Sequence, residues 1–183
     1  MDVTDENAYG FFFSYFEIED DEYDLEPDDF ARRFTGFREL IEQVLAEEPP
    51  GEGCEPLWLG HAVYLEVAEG DEQVDPFAWT KRTRARLEES GYRTVAVLSQ
   101  GSRWVPSEGA EPQHSAPRLP SEALRRALYA DTATRPGEDE AQAPGWGPGL
   151  YVDVEAIDSM GKNLKNTPTP LSVAGATFYR FGS

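Results

Sequence analysis

The stretch Tyr9-Gly10-Phe11-Phe12-Phe13-Ser14-Tyr15-Phe16-Glu17-Ile18 is apolar on both of its alternating faces, and this limits the possible folds more than any other feature. A half-exposed strand alternates apolar with polar residues; one that does not is covered on both sides. Phe12, Phe16 and Ile18 on one face, with Phe11, Phe13 and Tyr15 on the other, call for packed layers above and below a sheet. A chain of 183 residues suits one domain of this kind, so residues 1–183 are read as a single domain.

The rest of the pattern supplies the layers. A helix is predicted from about Asp29 to Glu48. Phe30, Phe34, Phe37, Ile41, Val44 and Leu45 form its stripe, Asp28 or Asp29 is placed to cap it, and Pro49-Pro50-Gly51 ends it. Residues 57–67 alternate as one strand, with His61 on the face of Leu57, Leu59, Val63, Leu65 and Val67. Asp75-Pro76 opens a second helix through Glu89, stopped by Gly91, and residues 92–99 read as a strand. Ser121 caps a short third helix to about Ala130. Strands are predicted at Leu150–Ile157 and Leu171–Phe181 as a C-terminal antiparallel hairpin. The expected class is α/β or α+β: one mixed sheet of about five strands with three helices, in the order β-α-β-α-β-α-β-β. Long Pro/Gly-rich loops fall near 100–120 and 132–149, a length that marks functional segments.

Charge narrows the function classes. Asp and Glu number 35 against 16 Lys and Arg, a formal charge of −19, which opposes binding to nucleic-acid phosphates. The one basic cluster, Lys81, Arg82, Arg84 and Arg86, is small against that background and serves as well to neutralise the protein's own acids. Nine carboxylates fall within Glu17–Asp29. As a calcium loop this segment lacks the central glycine and the distal glutamate. As a binding face it carries Tyr23 and Leu25 among its acids, which is how a protein-binding surface is built.

Signs of catalysis are sparse. The single Cys, Cys54, and two His, His61 and His114, leave no thiolate zinc site and no disulfide, so no metal and no cofactor are expected. Cys54 beside His61 is conceivable as a nucleophile pair but reads more simply as a packing residue. Val97-Leu98-Ser99-Gln100-Gly101 lacks the glycine of a nucleophile elbow. Gly145-Trp146-Gly147-Pro148-Gly149 has a proline where a phosphate loop needs an N–H. Trp146 there is either a recognition anchor or a hydrophobic lid.

These readings favour a non-enzyme: a small acidic cytoplasmic binding protein, immunity- or antitoxin-like, that neutralises a basic partner such as a toxin or nuclease. Glu17, Glu19, Asp20, Asp21, Glu22, Tyr23, Asp24 and Leu25 form its contact surface. No catalytic residue is assigned and no direct nucleic-acid or membrane contact is expected; the absence of a leader or spanning segment suggests the cytoplasm. One alternative is a small enzyme with His61, Asp153 and Glu155 as acid–base groups under the 132–149 loop. Another is a salt-adapted protein whose acidity has no functional content.

Overall fold

The computed structural model describes residues 3–16, 27–106, 121–135, 143–162 and 169–182. The elements run β1 (Val3–Tyr15), α1 (Pro27–Glu47), β2 (Leu57–Leu59), β3 (Ala62–Ala68), α2 (Pro76–Glu89), β4 (Thr94–Pro106), α3 (Glu122–Thr134), β5 (Gly149–Asp153), α4 (Val154–Ser159), β6 (Pro170–Val173) and β7 (Ala176–Phe181). The strands form one mixed sheet in the order β2-β3-β1-β4-β5-β7-β6. Only β4 and β5 are parallel neighbours, with α3 in the connection between them. The mixed sheet was expected. Its seven strands and four helices among the described residues exceed the five and three read from the sequence.

The doubly apolar strand is β1, hydrogen-bonded to β3 on one side and β4 on the other. Phe11, Phe13 and Tyr15 enter a core with Phe37, Ile41 and Val44 of α1, Trp79 and Leu87 of α2, and Ala156 and Ile157 of α4. Phe12 and Phe16 enter a second core under Leu124, Ala127 and Ala130 of α3. Three helices therefore cover one face and α3 covers the other. Trp79, which the sequence reading passed over, is the largest fully buried side chain. No helix among the described residues is long and apolar enough to cross a membrane.

Local chemistry explains most boundaries. Asp75 caps α2 by accepting from Ala78 N at 2.7 Å, with Pro76 at the first helical position, and Gly91 leaves the helix at φ +87°. Ser121 caps α3 by accepting from Leu124 N at 3.1 Å. The expected strand 57–67 is instead two strands, reversed at the exposed pair Gly60–His61, where Gly60 takes φ +62°. Reversal changes the phase: Trp58 packs with the core of Val63 and Leu65, and Leu59 with that of Ala62 and Tyr64. The expected strand 150–157 also stops early, because Asp153 accepts from Ala156 N at 2.7 Å and caps α4. The C-terminal hairpin is β6–β7, turning at Ala174–Gly175, and β5 pairs with β7.

Two glycines let α3 lie directly on the sheet. A Cβ on Gly10 would come within 2.7 Å of the Tyr64 ring and hydroxyl, and one on Gly101 within 2.8 Å of Glu122 Cβ and 2.9 Å of Ala123 N. Backbone cannot rotate aside, so Gly101→Ala is expected to cost about 1–3 kcal/mol through overpacking. A thermal melt checks this: the midpoint should fall by several degrees, at roughly 2–4 °C per kcal/mol for a domain of this size. An unchanged midpoint would contradict the close α3–sheet contact.

Candidate active-site cleft

At the end of β5 the chain opens a cleft of about 360 Å³. Its lining comes from Glu122, Arg125, Arg126 and Tyr129 of α3, Asp153 and Glu155 at the β5–α4 junction, and the β6–β7 turn at Ala174–Thr177. The parallel β4–β5 pairing sets Val152 beside Leu98. The next residue, Asp153, therefore lies beside the middle of β4 and accepts from Gln100 N at 3.1 Å. The α3 helix lies across this end of the sheet, anchored by the Ser99 hydroxyl, which donates to Ala123 O at 2.8 Å.

Arg126 is the centre of charge. Its Nη1 donates to Gln100 O at 3.0 Å and lies 3.4 Å from Asp153 Oδ2 and 3.9 Å from Glu155 Oε1. Its Nη2 donates to Glu122 Oε1 at 2.8 Å. Burial pushes the Asp153 carboxyl up to about 6, against the backbone N–H groups of Ala156 and Gln100 and the Arg126 charge, which pull it down. Burial also opposes ionisation of Glu122, but the adjacent Arg126 charge and hydrogen bond hold its carboxyl below the usual range. Arg125 is freer: its side chain is 58% exposed, and Glu122 lies 3.9 Å away, beyond hydrogen-bond length.

The acid–base set proposed from the sequence is not assembled. Asp153 and Glu155 share the cleft, but His61 sits at the β2–β3 turn, whose carbonyl accepts from Tyr15 N at 3.0 Å. It lies across β1 and β4 from Asp153 and about five residues along them, roughly 16 Å in that direction alone. His61 is also no core residue. Its side chain is 44% exposed, and Nε2 meets Asp131 Oδ2 at 3.3 Å. Asp131 is buried, and its other oxygen accepts from Arg135 Nε at 3.2 Å. Arg135 Nη2 donates to Ser14 Oγ and, at 2.8 Å, to Tyr15 O, while its guanidinium lies 5.0 Å from the centre of the Phe16 ring. Burial would raise the Asp131 carboxyl, but the His61 hydrogen bond, the Arg135 charge and the Ser14 hydrogen bond outweigh it and hold the group below 3.8.

The other sequence candidates resolve simply. Cys54 packs against the α1 side of the core, and burial pushes its thiol up to about 11, the reverse of an activated nucleophile. Trp146 folds back into the second core, stacked on Tyr151 with ring centres 5.1 Å apart. Arg86 pairs with Glu47 at the end of α1, Arg82 with Glu48 just past it, and Arg84 with Glu88, so three members of the basic cluster serve the protein's own acids. Glu17, Glu19, Asp20, Asp21, Glu22, Tyr23, Asp24 and Leu25 lie outside the described residues, as does His114. What the sequence reading missed is the charge on α3. The i,i+4 pairs Glu122–Arg126 and Asp131–Arg135 were its only signal, and helical spacing of this kind is usually a solvated face.

The donors of the cleft do not fit a divalent cation. Among the described residues, no group of three His, Cys, Asp or Glu side chains is arranged to hold a metal ion. The three carboxylates nearest one another in the cleft converge on the Arg126 guanidinium instead.

No protein-family model matches the chain, and no curated protein does. Its fold is similar to that of solved nucleotide cyclases. The guanylyl cyclase Cya2 is 10% identical, with a TM-score of 0.65 over 98% of this chain and 93% of that one. A dimeric guanylyl cyclase domain from the aquatic fungus Blastocladiella emersonii is 10% identical, with a TM-score of 0.58 over 97% and 95%. A bacterial light-regulated adenylyl cyclase is 11% identical, with a TM-score of 0.60 over 98% of this chain and 52% of the longer relative. These likenesses overturn the expected immunity- or antitoxin-like inhibitor. The fold is similar to that of cyclase domains, and the basic toxin or nuclease expected as a partner falls with the inhibitor reading.

Proposed function

We propose that this chain is a single-domain protein of the nucleotide cyclase fold that binds a purine nucleotide in the cleft between α3, the β5–α4 junction and the β6–β7 turn. The observation that carries the reading is the agreement of fold with the guanylyl cyclase Cya2 over nearly the whole of both chains. The neighbours named above are guanylyl and adenylyl cyclases. The cleft adds chemical support. An exposed guanidinium, Arg125, suits a phosphate, and Tyr129, one turn further along α3, offers a ring face to a base. The exposed Glu155 carboxylate accepts from ribose hydroxyls or an exocyclic amine.

Calorimetric titration of the full chain with adenine and guanine nucleotides tests this, with cytidine and uridine nucleotides as controls. Saturable one-to-one binding of at least one purine nucleotide, weakened by Tyr129→Ala, is the expected outcome. Binding of none at millimolar concentration, or equal affinity for purines and pyrimidines, would refute it.

A further inference from the structure

The charges in this cleft are unequal in availability, and that bears on which nucleotide it takes. Arg126 is already engaged with protein: Gln100 O, Asp153 and Glu122 within 3.4 Å, and Glu155 at 3.9 Å. Arg125 is the lining guanidinium left to meet a ligand. Against it stand two partly exposed carboxylates, Glu122 at 33% and Glu155 at 51%, within a protein of charge −19. Among the described residues, a triphosphate tail brought here would meet Arg125, held only by its 3.9 Å ion pair with Glu122, and like charge around it, with no group of three donors arranged for a bridging metal. The β6–β7 turn at Ala174–Gly175, both residues at positive φ, completes the lining.

We infer that the cleft is selective for a purine nucleotide with a single negative charge, a 3′,5′-cyclic nucleotide, and holds it without a divalent cation. Arg125 pairs with the cyclic phosphodiester, Tyr129 stacks on the base, and Glu122 or Glu155 accepts from the 2′-hydroxyl or the exocyclic amine. Arg126 is a positioning residue. It fills the centre of the three carboxylates and keeps the cleft close to neutral. This inference rests on the nucleotide-binding reading above and specifies the ligand of the same site.

The test uses the full chain titrated with cyclic AMP, cyclic GMP, AMP, GMP, ATP and GTP, each in excess magnesium and again in EDTA. A cyclic nucleotide is expected to bind on the order of 10-fold or more tighter than the matching triphosphate, with the same Kd in both buffers. Arg125→Ala, an exposed change that leaves the melting midpoint in place, should weaken cyclic nucleotide by a similar factor. Glu155→Gln should narrow the gap by favouring the triphosphate. A triphosphate that binds tighter than the cyclic form, or binding that needs magnesium, would overturn this inference and leave the nucleotide-binding reading standing. Failure of every purine nucleotide would remove that reading and this inference together.

Discussion

Trp79→Ala is expected to remove about 3–5 kcal/mol of stability, a large part of the roughly 5–15 kcal/mol that holds a domain folded. Trp79 is 1% exposed. Its ring meets Phe11 edge-on at 5.1 Å and Phe13 at 5.9 Å, so it joins α2 to the central strand. Its indole N–H donates to Glu48 O at 2.7 Å, satisfying a carbonyl just past the end of α1. Truncation therefore leaves a cavity, loses two aromatic contacts and strands a carbonyl. Chemical denaturation should show the loss as a lower midpoint at nearly unchanged slope. Trp79→Phe should recover most of the packing but not the hydrogen bond. If Trp79→Ala cost under about 1 kcal/mol, the aromatic junction of α2 with β1 would be wrongly described.

The second large effect belongs to Asp131. Its buried carboxylate answers Arg135 on one oxygen and His61 on the other, so Asp131→Ala leaves a guanidinium beside Ser14, Tyr15 O and Phe16 without its counter-ion. Breaking one side of a buried pair costs about 3–5 kcal/mol. Arg135 is 29% exposed, and water recovers part of that, so about 2–3 kcal/mol is expected. The pH dependence identifies the cause. The folded Asp131 carboxyl titrates below its ordinary 3.8, so on acidification the unfolded chain takes up the proton first. The stabilisation is complete above about pH 4 and is lost as pH falls below it. Asp131→Asn should abolish that portion of the acid slope in denaturation measured across several pH values. A slope identical to wild type would show that the carboxylate contributes nothing through its charge.

The parts of the fold that were legible are those where one local interaction decides the outcome. The run without alternation from Tyr9 required two covered faces, and its part within β1, from Tyr9 to Tyr15, has them; Glu17 and Ile18 lie outside the described residues. Asp75-Pro76, Gly91 and Ser121 each fix one helix end by a single hydrogen bond or a single dihedral preference, and all three appear where expected. What stayed hidden depends on tertiary partners. A two-residue reversal at Gly60–His61 leaves the local alternation intact on both sides, so the pattern alone cannot tell one strand from a hairpin; the glycine was the only cue. Asp153 sits in Val-Asp-Val-Glu, which alternates like a strand, yet the residue ends β5 because its side chain captures Ala156 N. Of the residues lining the cleft, Asp153 and Glu155 were named from the sequence, though as strand residues and not across a β5–α4 junction; Arg125, Arg126 and Tyr129 acquire meaning only once α3 crosses the end of β5.

The borders of the sheet carry a consequence for solubility. β2 is three residues long and β6 four, beginning with Pro170, which has no N–H to offer. A protein with an interior strand so rich in phenylalanine would be prone to fibril growth if such a strand lay at the rim, where another chain could zip onto its free amides. Here that strand is enclosed by β3 and β4, and the rim is given to segments too short or too interrupted to template a neighbour.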